Sequence, residues 1–478
     1  MSHHIYKSYE YKTYVRNIFV VIDNKNISFQ LIYIFILLVK MNNNVLFVET
    51  GGIVSDTRIN IAFYRSSIAT DSTKSVAVWE ASVRVRNASY VRLHYAAFDL
   101  NSKIIKPIAT LPDSNGDVND DNYTATQPVI SADQNGKWFI AARYNDSTIT
   151  SSRRAGLIFW KSNDGLTWTY AGFVTSGSVG LATIYTNPSI TYTSDRWIIA
   201  TQFSGGNSVG TLTYNKDRND ANRFATIGAF PTGTVTLTVF VIAQSDNQIY
   251  LGFSSNADLA RTGKKYYMAY VAPGKTFGDS ITWSPPANIS KQFNYNPTDS
   301  NAIFTYIEYG PKLAFSNGYL IAVWYSVNYG YYYSRTPTNA QNNFTWSTPR
   351  KIANRTSENI GQPNLYDILP DNKGNIFMIF ATDKGVMQIY YNIGSDIWSV
   401  ASEFSNQLNI KSLSMSYYND KFYVILVHNF RNNSIFDVTL VTKNTNNQNP
   451  PDLVLSFPIG PARTLPIGTI PIGLPLPS

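Results

Sequence analysis

The chain has 478 residues, of which 44% are hydrophobic and 15% are charged, and it contains no cysteine. These values predict a globular protein with a large core, and they exclude disulfides, thiol catalysis and cysteine metal sites. The formal net charge is +8. Because Lys and Arg are dispersed without a run of four, we expect no nucleic-acid partner.

Aromatic residues make up 14% of the chain, with 33 Tyr, 26 Phe and 9 Trp, whereas glutamate, a good helix former, occurs six times. Aromatic residues are enriched in strands, and no long segment shows helical periodicity. The composition therefore predicts an all-β fold. Apart from the terminal pair His3 and His4, the only histidines are His94 and His428, so we expect neither a metal site nor another cofactor.

Residues 1–43 differ from the rest and are predicted to be an N-terminal extension. They contain an apolar segment, 27–39, interrupted only by Ser28 and Gln30. This segment is shorter than the roughly 20 residues of a spanning helix, and no small-residue cleavage site follows Lys40-Met41-Asn42. Three interpretations stay open: a β-hairpin or loosely packed extension, a signal anchor that associates with a membrane through 27–39, or a true start at Met41.

Seven strongly apolar runs recur from Val45 onward, several of them after a turn rich in Gly, Asn or Asp. They are Val76–Glu80, Trp138–Tyr144, Trp197–Phe203, Ile249–Phe253, Leu320–Tyr325, Ile376–Ala381 and Phe422–His428. The spacing leaves room for four strands per unit. We therefore predict a β-propeller over residues 44–457, built from four-stranded antiparallel blades, with seven blades favoured and six as the alternative.

The best-defined turn of the chain lies between the hydrophobic runs Gly156–Trp160 and Trp168–Val174. Ser162 and Asp164 can accept hydrogen bonds from backbone N–H groups of their own turn, and Gly165 can adopt positive φ. Trp168 can cover the hairpin with its ring. This pattern predicts a structural β-hairpin turn.

The residues Ser162, Asp164, Gly165, Thr167 and Trp168 resemble the Asp-box of BNR-repeat, sialidase-like β-propellers. The resemblance implies a structural turn between the third and fourth strands of a blade, on the side away from the ligand. Weaker copies follow, and in each an apolar residue lies six positions beyond the Trp. They end at Trp283 with Ile289, at Trp346 with Ile352, and at Trp398 with Phe404; Arg223–Thr226, with Phe230, is a further degenerate copy.

A sialidase-like enzyme would need three arginines for the substrate carboxylate, an Asp acid, and a Tyr nucleophile beside a Glu. The nearest match to the Phe/Tyr-Arg-Ile-Pro motif of that family is Tyr64-Arg65-Ser66-Ser67, which lacks the Ile-Pro. Arg143 and Arg335 are the other arginine candidates, and Glu308-Tyr309 is the candidate base and nucleophile. Adjacent residues of one strand point to opposite faces, which argues against the Glu308-Tyr309 pair.

The C-terminal segment, 458–478, repeats the triplet Pro-Ile-Gly three times. Proline at this density favours an extended conformation, and the apolar composition favours attachment to a partner or a passive tail. Richness in Asn, Ile, Tyr and Lys is typical of AT-rich genomes, including those of large DNA viruses. It leaves an extracellular, virion-surface or membrane-anchored location open.

We predict that the propeller surface recognises a glycan or a protein without catalysis, since aromatic residues with Asn, Asp and Arg suit sugar rings. A divergent glycoside hydrolase is the alternative, so whether the chain is an enzyme stays open. The sequence contains no feature that predicts the oligomeric state. Because propeller sites form from loops of different blades, the sequence does not name the ligand.

Overall fold

The computed structural model is all-β. It describes residues 38–40, 45–47, 65–85, 88–112, 123–146, 155–175, 187–202, 209–216, 220–226, 236–255, 268–277, 280–290, 308–326, 330–338, 345–352, 365–431, 435–445 and 453–459. These ranges contain no helix, and so none that is long and apolar enough to cross a membrane.

Seven antiparallel sheets, each made of consecutive strands, form the seven blades of a β-propeller. The strands of blades 1 to 3 are β3 (Ser66–Thr70), β4 (Lys74–Val85), β5 (Ala88–Asp99), β6 (Ile104–Thr110), β7 (Tyr123–Ala132), β8 (Trp138–Asp146), β9 (Ala155–Ser162), β10 (Thr169–Thr175), β11 (Ser189–Tyr192), β12 (Arg196–Gln202), β13 (Val209–Asn215) and β14 (Asp220–Thr226). They follow β1 (Leu38–Lys40) and β2 (Val45–Phe47), which pair with each other.

The remaining four blades have the same strand order, with one short extra strand in blade 4 and one in blade 6. Their strands are β15 (Thr236–Ser245), β16 (Gln248–Ser255), β17 (Met268–Phe277), β18 (Ser280–Trp283), β19 (Ala287–Asn288), β20 (Glu308–Ser316), β21 (Tyr319–Ser326), β22 (Gly330–Pro337), β23 (Arg350–Lys351), β24 (Tyr366–Pro370), β25 (Asn375–Thr382), β26 (Gly385–Asn392), β27 (Ile397–Trp398), β28 (Ser402–Ser405), β29 (Ile410–Tyr418), β30 (Lys421–Arg431), β31 (Ile435–Asn444) and β32 (Leu453–Ile459).

The prediction of an all-β propeller with seven blades is confirmed. Each of the seven apolar runs falls on the second strand of its blade, where both faces pack against neighbouring blades. In β8, Trp138 and Ile140 face the core shared with blade 1, whereas Phe139 and Ala141 face the core shared with blade 3. A strand buried on both faces has a continuous apolar sequence rather than an alternating one, which is why these runs stand out.

Strands occur at both predicted edges of the propeller domain. β1 overlaps the end of the apolar segment 27–39, whose other residues lie outside the described part of the chain. At the other edge, β32 continues through Pro458 and Ile459, two residues beyond the predicted boundary. β32 is the outermost strand of blade 7, where proline can be accommodated because one side of an edge strand needs no ladder partner.

Polar side chains join the innermost strands of neighbouring blades around the axis. Each accepts a backbone N–H of the next blade: Ser67 from Ile130 at 3.2 Å, Ser189 from Val241 at 3.0 Å, Thr238 from Gly310 at 2.9 Å, Asp367 from Met415 at 2.8 Å, and Ser412 from Ser66 at 3.0 Å. The last of these joins blade 7 to blade 1. Among the described strands, each blade is made of consecutive strands, so the first and last blades meet without sharing one.

The two ends of the propeller differ in their connections. The lower end carries the turns from the first to the second strand and from the third to the fourth strand of each blade. The upper end carries the second-to-third connections and the segments that lead from one blade into the next. All innermost strands thus begin at the upper end and run towards the lower end.

Candidate functional site

The turn Ser162–Trp168 joins β9 to β10 at the lower end. The Ser162 hydroxyl accepts the N–H of Gly165 at 2.8 Å, and the Asp164 carboxylate accepts those of Leu166 and Thr167 at 2.8 and 2.7 Å. Gly165 has a φ of 68°. The side chains of Ser162 and Asp164 thus both accept hydrogen bonds from backbone N–H groups of their own turn.

Trp168 is buried in the core between blades 1 and 2, with 5% of its surface exposed. Its ring meets that of Tyr95 edge-on at 6.0 Å, and the Tyr95 hydroxyl donates to the Leu166 carbonyl at 2.9 Å. The residues six positions beyond the four tryptophans are all buried: Val174, Ile289, Ile352 and Phe404. These positions serve packing between strands and leave little surface for a ligand.

Arg335 lies near the end of β22, at the lower end, apart from the other two arginine candidates. Its guanidinium donates to the Tyr391 hydroxyl at 3.1 Å and to the Ile393 carbonyl at 3.0 Å, and it pairs with Asp396 at 3.2 Å. Although burial raises it, the hydrogen bond from Tyr391 and the charge of Arg335 hold the pKa of Asp396 below its usual value. Arg335 thus belongs to a polar cluster between blades 5 and 6.

Glu308 and Tyr309 begin β20 at the upper end, where they pair with Ser326 and Tyr325 of β21. The Glu308 side chain lies outside the described residues. The backbone carbonyl of Tyr309 accepts the hydroxyl of Tyr366 at 3.2 Å. That contact involves the backbone of Tyr309 and adds no support for a role of its phenol as a nucleophile.

Arg65 and Arg143 both lie at the upper end, where their charges act on a carboxyl group that the sequence analysis did not single out. Glu80 lies on β4 with none of its surface exposed. Its Oε1 accepts the N–H of Gln127, on the innermost strand of blade 2, at 2.6 Å. Its Oε2 has no hydrogen-bond partner among the described residues. The charges of Arg65, before β3, and Arg143, on β8, both act on this carboxyl.

Burial raises the pKa of the Glu80 carboxyl to about 8, although the Gln127 hydrogen bond and the charges of Arg65 and Arg143 oppose the increase. Burial likewise lowers the pKa of the Arg65 guanidinium. The penalty for an ionised carboxyl group here therefore exceeds the attraction of the two arginines. At neutral pH, Glu80 is largely a neutral acid beside two cations.

Irregular backbone places the partners of Glu80. β7 has a bulge between Thr126 and Val129, so the N–H of Gln127 leaves the strand ladder and points to the carboxyl of Glu80. The Gln127 side chain then accepts the N–H of Asn187, before β11, at 2.7 Å. Two successive hydrogen bonds, through Glu80, Gln127 and Asn187, thus connect blades 1, 2 and 3.

Gln127 and Asn187 have φ values of 55° and 59°, and each precedes a proline. Gly310, before Pro311 at the corresponding place in blade 5, has a φ of 106°. Positive φ is uncommon for Gln, and strained residues of this kind cluster at binding and catalytic sites. An X-Pro pair at the start of an innermost strand was a sequence signal for this end of the propeller.

Aromatic rings extend from this site across the upper end of blade 2. Tyr123 and Tyr144 lie 5.6 Å apart, and Tyr144 stacks on Phe173 at 5.6 Å. The Arg92 guanidinium lies 3.9 Å from the centre of the Tyr123 ring and donates to the Tyr123 carbonyl. Phe173 is 53% exposed, which makes it an accessible stacking surface at the upper end of blade 2.

The apolar runs themselves contained a second sequence signal for the site at the upper end. Among the seven runs, only Val76–Glu80 contains a carboxylate and only Trp138–Tyr144 contains an arginine. A charged residue within a strand that is buried on both faces needs a partner or a function.

Chemically, a site with two arginines can bind an anion. Within the described residues, no group of three His, Cys, Asp or Glu could hold a metal ion.

The comparisons with known proteins support the fold. The structure of polysaccharide lyase Uly1 is similar to this chain with a TM-score of 0.50 and 11% sequence identity, covering 83% of this chain and 93% of that chain. A GH93 α-L-arabinofuranosidase of Fusarium graminearum gives a TM-score of 0.46 and 12% identity, covering 66% of this chain and 90% of that chain. Identities this low show the fold alone.

The Hadza microbial sialidase Hz136 gives a TM-score of 0.41 and 11% identity, covering 76% of this chain and 63% of that chain. This chain therefore spans less than two thirds of that sialidase. A scan against protein-family models and a search of curated proteins find no match.

Proposed function

We propose that this chain is a non-catalytic recognition protein that binds a carboxylate-bearing sugar at its upper end. The observation that carries the proposal is that the charges of Arg65 and Arg143, from different blades, both act on the buried acid Glu80. Guanidinium groups bind carboxylates through charge-assisted and often bidentate hydrogen bonds.

The surroundings of the arginine pair suit a sugar. The exposed ring of Phe173, stacked on Tyr144, offers a flat apolar face at the same end of blade 2. Sugar-binding sites combine such faces with a few directed polar groups. The formal net charge of +8 favours the approach of an anionic ligand. The fold is shared with a polysaccharide lyase, in agreement with a glycan ligand.

A divergent glycoside hydrolase is the second candidate, and Glu80 is the observation that favours it. A carboxyl group with a pKa near 8 is protonated at neutral pH, as a general acid must be. However, Glu80 has no exposed surface, and no second carboxylate among the described residues contributes to its pKa shift. Retaining and inverting hydrolases both require a pair of carboxyl groups about 5–10 Å apart. Recognition therefore accounts for the site better than hydrolysis.

The test is binding of acidic and neutral sugars by the full chain. Sialyllactose and trigalacturonate would be compared with lactose and galactotriose by calorimetry, which distinguishes sialic acid from uronic acid as the source of the carboxylate. We expect at least one acidic sugar to bind tenfold or more tightly than its neutral counterpart.

The variant Arg143→Met should weaken binding of the acidic sugar by about 10-fold or more, which corresponds to the 1.5–3 kcal/mol of a charged hydrogen bond. The control Arg350→Met removes the same charge from an exposed residue at the lower end and should leave affinity unchanged. Equal binding of acidic and neutral sugars would contradict the proposal. Release of a monosaccharide would establish the hydrolase instead, and absence of sugar binding would favour a protein partner.

A further inference from the structure

We propose that Lys411 is a specificity-determining residue of the upper end, where it holds, together with Arg65, a second acidic group of the ligand. The ligand is then an oligosaccharide with an acid on more than one sugar unit, as in an oligouronate, rather than a sugar with a single acid. This inference rests on the proposed function, which places one carboxylate at blades 1 and 2. It adds a binding position at the joint of blades 7 and 1.

Lys411 is the extra residue of a β-bulge at the upper end of β29. Ile410 pairs with His428 of β30 and Ser412 pairs with Val427, so Lys411 has no partner of its own in the ladder. Ile410 lies in the core between blades 6 and 7, and Ser412 is buried against blade 1. Lys411, between them, is exposed. Bulges take a side chain out of the alternating pattern and are common next to active sites.

Two hydrogen bonds fix the register between β29 and β3, the innermost strands of blades 7 and 1. The N–H of Ser66 donates to the Ser412 hydroxyl at 3.0 Å, and further from the upper end the hydroxyls of Thr70 and Ser416 share a hydrogen bond at 2.5 Å. Both pairs are separated by 346 positions in sequence. The two strands therefore run side by side in a constant register.

One step towards the upper end, the same register puts Lys411 opposite Arg65. Arg65 is fixed to blade 1, because its backbone carbonyl accepts the N–H of Glu80 at 3.1 Å. Among the described residues, no group pairs with the Lys411 ammonium. Like charges at neighbouring positions repel each other, and an anion between them offsets that repulsion. The joint of blades 7 and 1 therefore suits an acidic group of a ligand.

The backbone that leads into β29 has a conformation that recurs around the upper end. Asn409 has a φ of 56°, close to the 55° of Gln127 and the 59° of Asn187 at the corresponding places in blades 2 and 3. Residues held in this region of φ cluster at binding and catalytic sites. Asn409 is exposed, and its amide can both donate to and accept from sugar hydroxyl groups. The segment thus offers a cation beside a polar group suited to a sugar.

The positions of the cations favour a ligand with repeated acids. Arg65 of blade 1 lies between Lys411 of blade 7 and Arg143 of blade 2, so the three residues come from consecutive blades. A sugar with one carboxylate occupies one position among them. An oligouronate carries a carboxylate on each unit and can occupy two positions at once. Linked groups that bind together give a higher affinity than either group alone.

The experiment compares trigalacturonate with the monosaccharide galacturonate by calorimetry on the full chain. Wild type should bind trigalacturonate about tenfold or more tightly. Lys411→Met should weaken binding of trigalacturonate by about tenfold, as expected for loss of one charge-assisted hydrogen bond, and should change the affinity for galacturonate little. The control Lys275→Met removes the same charge from an exposed residue at the lower end of blade 4 and should change neither affinity. Lys411→Arg, which keeps the charge, should retain most of the affinity for trigalacturonate.

Salt dependence of the wild type is a second measurement that needs no variant. Salt screens exposed charges, so affinity for trigalacturonate should fall more steeply with added NaCl than affinity for galacturonate. Lys411→Met should reduce this difference between the two slopes.

Equal affinities of wild type for the two ligands, or equal effects of Lys411→Met and Lys275→Met on trigalacturonate, would overturn the second binding position and leave the proposed function intact. A wild type that binds no acidic sugar, or whose binding of galacturonate is unchanged in Arg143→Met, would overturn the proposed function and this inference with it.

Discussion

Buried carboxyl groups have different partners at the two ends of the propeller. At the lower end, Asp133 pairs with Lys216 at 2.7 Å and accepts the N–H groups of Asn135 and Lys137 at 3.0 and 2.9 Å. At the upper end, the Glu80 carboxyl accepts backbone hydrogen bonds from Gln127 and Arg65, and its Oε2 has no partner among the described residues. Both carboxylates are buried. The contrast agrees with the proposal that the upper end binds a ligand, whereas the lower-end carboxylate is satisfied by its own turn and by Lys216.

The lower-end pattern recurs from blade to blade. Asp71 accepts the N–H groups of Thr73 and Lys74, and Asp371 accepts those of Lys373 and Asn375, at distances between 2.7 and 2.9 Å. In each of these blades the aspartate lies in the turn from the first to the second strand. Such turns satisfy their own backbone and present no free acceptor to a ligand.

The largest expected effect comes from breaking the buried pair at the lower end. Lys216→Met should cost about 3–5 kcal/mol of unfolding free energy, because Asp133 would remain as a buried charge with only its turn N–H groups. The double variant with Asp133→Asn should recover part of this loss in a double-mutant cycle. Chemical denaturation measures both. A loss below about 1 kcal/mol would show that the pair is dispensable and would remove the contrast between the ends.

Trp168→Ala tests the packing below the Ser162 turn. The variant deletes a buried indole from the core of blades 1 and 2 and should cost about 3–5 kcal/mol. Sugar affinity of the folded fraction should not change, because the turn lies at the end away from Arg65 and Arg143. An unchanged melting temperature with lost sugar binding would show that Trp168 contacts the ligand.

Gly165→Ala should lower the free energy of unfolding by less, about 1–2 kcal/mol because alanine is strained in the left-handed backbone conformation. Close contacts of the new Cβ atom should add to this loss. A Cβ there would lie 3.0 Å from Cε2 of Trp138 and 3.1 Å from Cγ2 of Val76. Gly136→Ala is the matched control, because Gly136 has a φ of 77° and its Cβ would meet no atom within 4 Å. Melting temperatures should rank wild type, Gly136→Ala and Gly165→Ala in falling order; equal losses would show that contact contributes nothing.

The smallest expected effect on stability is at the upper end. Arg143→Met is the counterpart of Lys216→Met, since each replaces a cation by methionine. We expect a change below about 1 kcal/mol, because Arg143 is only partly buried whereas Lys216 is buried. Denaturation under the same conditions compares the two variants directly. A loss as large as that of Lys216→Met would make Arg143 a structural cation and contradict the assignment of the upper end to binding.

Much of the fold could be predicted from local pattern. Burial on both faces makes the second strand of every blade continuously apolar, so Trp138–Tyr144 and its six counterparts could be recognised without any knowledge of their neighbours. The same holds for the turn at Ser162, because the hydrogen bonds that Ser162 and Asp164 accept all come from residues close in sequence. Its resemblance to an Asp-box stays a prediction about the family.

The candidate site could be predicted only in part. The structure places both Arg65, selected as the nearest match to a sialidase motif, and Arg143, selected because it follows an apolar strand, at the upper end with Glu80. Arg335 was selected on the same grounds as Arg143, but it lies at the other end, because β22 runs from the upper end to the lower end and Arg335 comes near its close. The direction of a strand relative to the axis depends on the order of all strands in its blade.

The sequence by itself determined what short-range forces decide: the all-β fold, the seven buried strands, and the turns in which Ser162, Asp164 and Gly165 serve their own backbone. Only the tertiary structure decided which charges meet. Glu80, Gln127 and Asn187 are separated by 47 and 60 positions in sequence, yet two hydrogen bonds join them. Whether Glu80 is ionised depends on the hydrogen bonds and charges that other strands bring to it, and the sequence around Glu80 does not identify those residues.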